Sequence, residues 1–336
     1  MANYTATSNR KFHLHIESSR EYELVYQLTE RVYTAAAKRH PLLAKRLTVT
    51  HGWDGDIIEQ VLQTADVMIN NNPPRERLRE RAPRLKWIQA TGVGIESLMP
   101  LDWLPAEIAL TNNAGAHSDK AEDYCAMALL MLHTRMPEVL ANHHGKQWQS
   151  IFTTPIAGRT AVVIGFGHLG RAAGRAAHKL GIKVIAVTRS GKAGRPADAA
   201  YRVSRIDSAL PKADFVIIAT PLTSETHGFM NRARLALLKP EAGLINVGRA
   251  ALVDYDAVRD MLNSGALAGA LLDVHRPEPL SADSPLWSTR NLIVTPHISC
   301  VDPRYVHFLC DRWFENFARF LAGKPLTGQI NRELGY

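Results

Sequence analysis

The sequence predicts an α/β protein built on doubly wound parallel sheets. Three observations carry this. Short apolar runs alternate with helical segments along nearly the whole chain. Most of these runs are short and apolar, as buried parallel strands are. One of them leads straight into a GxGxxG turn that opens a helix. The chain has 336 residues, a length that fits two domains of ordinary size.

The elements follow in order. Lys11–Glu17 (KFHLHIE) is a first strand and Glu21–Arg39 a helix that stops before Pro41. Leu47–Thr50 is a short strand. Asp54–Gln63 is a helix with Asp54 as its cap, and Asp66–Asn70 (DVMIN) an apolar strand. Pro74–Arg81 opens on proline, as first helical turns do. Leu85–Thr91 and Ala109–Asn112 are further strands, and Asp119–Arg135 is a long apolar helix. Met136–Ile156 breaks the pattern with Pro137, Gly145, Trp148 and Pro155, and reads as an excursion that packs on another subunit. Alternation then resumes. Strands are expected at Thr160–Ile164, Lys183–Thr188, Asp214–Thr220, Gly243–Val247, Gly269–Val274 and Asn291–Thr295, with a last amphipathic helix at Pro303–Leu321.

Bulk properties narrow the function. The formal net charge is +8. The dense run Arg75–Lys86 interleaves Glu76 and Glu80 and reads as a solvated helix face. Arg171–Arg205, with Asp198 as its one acid, lies on a nucleotide-binding unit. Anionic small molecules explain the charge more economically than nucleic acid does. Apolar runs are too short for a membrane helix, the polar N-terminus does not read as a secretory peptide, and a cytoplasmic setting is expected. Cys125, Cys300 and Cys310 are odd in number and form no CxxC pair, so free thiols are expected. His117 and the adjacent His143 and His144 have no metal motif around them, and no metal is assigned.

The cofactor motif is AVVIGFGHLG at Ala161–Gly170. Gly165 permits a tight turn, Gly167 lets a pyrophosphate approach, and Gly170 allows close helix–strand packing. The amides of His168, Leu169 and Gly170 start a helix whose positive end suits phosphate. A site specific for NAD places an acid at the end of the second strand. Here that position holds Thr188, Arg189 and Ser190, with Lys192 and Arg195 nearby. A guanidinium and two hydroxyls suit a 2′-phosphate, so NADP(H) is expected over NAD(H). The alternative is an ordinary surface arginine.

Three segments, each past a strand of the same sheet, place an arginine, an acid and a histidine where ligands of such sheets bind: Arg249 in LINVGRA, Glu278 in LLDVHRPEPL and His297 in IVTPHIS. With VIGFGHLG and the Ala219–Asn231 segment, these motifs resemble, in order and spacing, the D-isomer-specific 2-hydroxyacid dehydrogenase family, which includes glyoxylate/hydroxypyruvate reductases. The resemblance implies a Rossmann-like cofactor domain, 114–296, inserted in a discontinuous catalytic domain, 1–113 and 297–336, with closure of a cleft and a homodimer. It implies that His297 donates a proton, Glu278 orients it, and Arg249 binds the substrate carboxylate and carbonyl. It further implies that Val93 and Gly94 hold the substrate carboxylate. Thr220, Pro221, Val247, Gly248, Arg249, Asp273 and His297 would then touch the cofactor. A simple turn at Val93–Gly94, and a strand-end bond from Asp273 to backbone, stay open. Trp53 is read as either pocket or core, and Leu286, Trp287 and Tyr305 as pocket lining. His275 departs from the family pattern, standing where an aromatic is commoner. The expected reaction reduces a small 2-keto acid. The rivals are formate or phosphite oxidation on the same fold, against which Glu278 argues, and a nucleotide-sensing corepressor-like scaffold.

Overall fold

A computed structural model describes residues 10–115 and 118–336. They form two compact units, 10–115 with 302–336, and 118–301. His117 lies outside the described residues.

The first unit opens with β1 (Phe12–Ser18), α1 (Glu30–Arg39), α2 (Pro41–Ala44), β2 (Leu47–Trp53), α3 (Ile58–Leu62), β3 (Val67–Ile69), α4 (Leu78–Arg81), β4 (Trp87–Gln89) and β5 (Ala109–Thr111). The strands make a parallel sheet in the order β2-β1-β3-β4-β5, the doubly wound arrangement of a flavodoxin-like sheet. Several helices start later than the sequence pattern suggests, α4 at Leu78 rather than Pro74 among them. Thr29 caps α1 through the amide of Val32, and the Leu28 amide is taken by Ser18 Oγ, so residues 21–29 make a loop with one 3₁₀ turn. Asp54 does not cap α3. It sits at φ 56°, and its carboxylate accepts from Ser19 Oγ, the Arg20 amide and the Arg20 guanidinium. The closing helix, Tyr305–Leu321, packs on one sheet face, where Trp313 stacks on Trp87 at 5.5 Å.

The second unit runs α5 (Ser118–His133), α6 (Met136–His144), β6 (Thr160–Ile164), α7 (His168–Lys179), β7 (Lys183–Thr188), β8 (Ala199–Arg202), β9 (Phe215–Ile218), α8 (Arg232–Leu235), β10 (Gly243–Asn246), α9 (Tyr255–Ser264), β11 (Gly269–Leu272) and β12 (Leu292–Val294). With it the closing helix of the first unit becomes α10. The order β12-β11-β10-β9-β6-β7-β8 reverses direction between β6 and β9, which makes this the switch point where such sheets bind nucleotides. Alternate strand residues enter two cores. Val162, Ile164, Val216 and Ile218 face one, and Ala161, Val163, Phe215 and Ile217 the other. Both faces are buried, which is why these strands read as unbroken apolar runs. The weakly patterned edge strand β8 escapes a reading by periodicity. No described helix is long and apolar enough to cross a membrane.

Candidate active site

At the switch point, β6 ends in Gly165, whose φ of +84° and close surroundings demand glycine. A Cβ there would lie 2.7 Å from Thr220 Cα, at the end of β9. A Cβ on Gly170 would lie 1.9 Å from the Gly165 carbonyl oxygen, so α7 seats directly on the turn. Gly167 is different: a Cβ there would meet nothing within 4 Å. Its missing side chain keeps space open in front of the helix. No side chain caps α7, so the amides of its first turn face that space. Two glycines that bring chain to chain and one that leaves room fit a dinucleotide pyrophosphate. Val247 is buried, and Gly248 packs against the Thr220 carbonyl, where a Cβ would lie 3.1 Å away. Pro221 is exposed, and its carbonyl is held by Thr226 Oγ1 at 2.8 Å.

The end of β7 turns through Thr188, Arg189 and Ser190. The Thr188 hydroxyl donates to the Lys192 carbonyl (3.1 Å), and Ser190 Oγ accepts from the Lys192 amide (3.2 Å). These hydroxyls shape the turn. Arg189, Lys192 and Arg195 are exposed, and no acid stands between Lys183 and Asp198.

Arg249 follows β10. Asn246 builds this turn: its Oδ1 accepts from the Gly248 amide (3.0 Å), and its Nδ2 donates to the Arg249 carbonyl (3.0 Å) and to Tyr255 Oη (2.9 Å). Tyr255 in turn donates to the Val274 carbonyl (2.7 Å), tying β10 to the end of β11. Arg249 is half-buried, and its guanidinium donates to the Gly248 carbonyl at 2.7 Å.

Glu278 and His297 meet. The His297 Nδ1 lies 2.8 Å from Glu278 Oε2, while Glu278 Oε1 accepts from the His275 amide at 2.7 Å. Burial pushes the Glu278 carboxyl up. The His275 amide and the His297 ring more than reverse this and leave it below the usual carboxylate range. With Nδ1 engaged, Nε2 is the nitrogen His297 presents. The side chain is 45% exposed.

His297 stands at φ 55°, a left-handed conformation that costs a non-glycine residue about 1 kcal/mol. Asp273 holds it there. The Asp273 carbonyl accepts the His297 amide (2.8 Å), and its carboxylate accepts from Thr295 Oγ1 (2.7 Å), the Ile298 amide (2.9 Å) and the Ser299 amide (2.9 Å). Tyr124, from α5, reaches Thr295 Oγ1 at 2.5 Å. Asp273 thus makes the strand-end bonds to backbone that were the alternative to a cofactor contact. The residue is fully buried and both its oxygens are spent on the loop that carries His297. Sequence reading missed Tyr124, Asn246, Tyr255 and Thr295. Only Asn246, polar at a strand end before glycine, carried a local signal.

Other candidates resolve more plainly. Cys300 is partly buried, and burial pushes its thiol up, away from nucleophilic character. All three cysteines are free. No group of described residues suits a metal. Trp287 is 54% exposed with Nε1 donating to the Ser281 carbonyl, and Leu286 lies beside it in the same 3₁₀ turn, Pro285–Ser288. In the first unit, Trp53 is half-buried under the Arg20 guanidinium rather than in the core. Tyr305 is not pocket lining: it is 7% exposed, and its hydroxyl is spent on the Thr91 carbonyl. The Val93–Gly94 loop is pinned by Asn112 Nδ2, which donates to the Val93 carbonyl at 2.6 Å, and the Val93 side chain projects into solvent.

A family model described as the NAD-binding domain of D-isomer specific 2-hydroxyacid dehydrogenases matches residues 126–299. The chain belongs to this family. It is an NAD(P)-dependent oxidoreductase acting on CH–OH donors. A glyoxylate reductase of Thermococcus litoralis is 27% identical over 290 residues, covering 83% of this chain and 87% of that protein. A family member from Xanthobacter autotrophicus, solved in complex with NADPH and MES, superposes with a TM-score of 0.83 at 28% identity, covering 97% of this chain and all of that one. An NADPH-dependent glyoxylate/hydroxypyruvate reductase of Sinorhizobium meliloti, solved with NADP and sulfate, gives 0.78 at 25% identity over 96% of this chain and all of that one.

Proposed function

We propose that this dehydrogenase reduces a small 2-keto acid, of the glyoxylate or hydroxypyruvate class, to the D-2-hydroxy acid with NADPH. The observation that carries the reading is the Glu278–His297 pair, held past the ends of β11 and β12, with Arg249 past the neighbouring β10 of the same sheet. When bound, the nicotinamide supplies a hydride to the keto carbon. The chain supplies the rest. His297, held by Glu278 at Nδ1, gives a proton from Nε2 to the carbonyl oxygen. Arg249 pairs with the substrate carboxylate and carbonyl and stabilises the negative charge growing on that oxygen. The Val93–Gly94 loop is the candidate carboxylate holder of the first unit. Residues 302–336, which fold with the first unit, are assigned with it to substrate binding, while His297 stands on the second unit.

The NADP reading rests on Arg189, with Lys192 and Arg195, and on the missing acid. The solved relatives that hold NADPH or NADP support it. The segment after α6 supports a homodimer: Trp148 is fully exposed and Phe152 is 90% exposed, apolar area that a second copy would cover.

The test is turnover of NADPH and NADH with a panel of 2-keto acids, with chiral analysis of the product. A higher kcat/KM with NADPH and a D-product are expected. An NADH preference removes the cofactor assignment, and an L-product removes the reaction. Absence of turnover points to a sensing scaffold. His297→Ala should lower kcat about 10²- to 10⁴-fold with cofactor affinity within twofold.

A further inference from the structure

His275 is a buried histidine, 8% exposed, that no step above uses. Its surroundings are specific. Its main-chain N–H donates to Glu278 Oε1 at 2.7 Å. Its ring Nε2 lies 2.9 Å from the Thr295 carbonyl, and a carbonyl can only accept, so Nε2 carries the hydrogen. The same Thr295 oxygen accepts the main-chain N–H of His297 at 3.0 Å. One residue is thus bonded both to the carboxylate that orients His297 and to the oxygen that anchors the His297 backbone. Ring Nδ1 is buried without a hydrogen-bond partner.

The titratable groups of this network come from every element around the ring. Glu278 lies on its own loop, Asp273 at the end of β11, and His297 beyond β12. Tyr255 reaches in from α9, and Tyr124 from α5 through the Thr295 hydroxyl. Burial pushes both tyrosines up and keeps them neutral. His275 therefore links the Glu278 carboxylate, through its main-chain N–H, to the Thr295 carbonyl, through its ring.

We infer that His275 is a positioning residue, whose Nε2–H tether to the Thr295 carbonyl holds the Glu278 loop in register with the His297 strand end. The inference rests on His297 being the proton donor. A side chain that only fills the space would pack, but it would leave Glu278 and His297 free to drift. Distances of this kind matter, because small misplacements of a proton donor lower rates steeply.

Three variants test it in the full chain: His275→Phe keeps a ring without the donor, His275→Gln restores an amide donor at similar reach, and His275→Asn keeps a polar amide too short to reach. In Phe and Asn, kcat should fall about five- to tenfold, the rate equivalent of one lost hydrogen bond, with KM for the keto acid within twofold. The acid edge of the kcat profile should move to higher pH in both, because Glu278 loses part of what holds its carboxyl low. Gln should recover most of kcat and the wild-type edge. If Phe does not fold, Gln against Asn decides. Equal kcat and unmoved edges in all variants overturn the inference. Equal loss in Gln and Asn with unmoved edges also overturns it and assigns a packing role. Failure of the underlying reading shows separately, as substantial turnover by His297→Ala.

Discussion

Asp273→Asn is the sharpest probe of the site, because the substitution changes almost no volume. The wild-type carboxylate accepts three donors inside the protein: Thr295 Oγ1 and the Ile298 amide on Oδ1, and the Ser299 amide on Oδ2. An asparagine keeps the two bonds on Oδ1 if its oxygen takes that place. Its NH₂ then faces the Ser299 N–H, two donors head to head. One buried amide is left unpaired, at a cost of about 1–3 kcal/mol, and the remaining two bonds lose their charge assistance. The sum is about 2–4 kcal/mol, against which the relief of a buried charge counts only in part. For a unit of 118–301, this lowers the midpoint of thermal unfolding by about 4–16 °C. The loosened segment is the one that keeps His297 at φ 55°, so kcat should fall by about tenfold or more. The assays are calorimetry and steady-state NADPH oxidation on the same preparation. An unchanged midpoint with unchanged kcat refutes the reasoning. A raised KM for NADPH with intact kcat and midpoint would assign Asp273 to the cofactor instead.

The remaining expectations are simpler. Gly167→Ala should fold with an unchanged melting temperature, since its Cβ enters open space, but should weaken cofactor binding at least tenfold by fluorescence titration; Gly170→Ala, whose Cβ would collide with the Gly165 carbonyl, should fail to fold or melt far lower. Arg189→Ala should raise the KM for NADPH about tenfold or more, as loss of a charge-assisted phosphate contact does, with the KM for NADH within twofold; equal effects on both cofactors would contradict the 2′-phosphate role. The Glu278 carboxyl is held low, so its contribution to stability is complete above its ordinary titration range and is lost as pH falls through its lowered value. Keto-acid reduction should therefore persist into mild acid. Glu278→Gln should lower kcat and remove that acid edge, measured over a buffered pH series.

The order of elements, both wound sheets and the cofactor turn were legible in the sequence, because each rests on local chemistry. Apolar runs mark strands buried on both faces, glycine spacing marks a turn where backbone must approach backbone, and Arg249, Glu278 and His297 each stand just past such a strand. Helix starts were less legible: Thr29 and Asp54 have the same capping chemistry, and only the distant partners Ser19 and Arg20 divert Asp54. What tertiary structure alone decided is how the site is held. Asp273, Tyr124, Tyr255 and the ring of His275 find their partners across 19 to 171 positions of chain. A hydrogen bond's worth depends on where its partner stands, and side chains far apart in sequence come within 3 Å only once the parallel strands bring their carboxyl ends together.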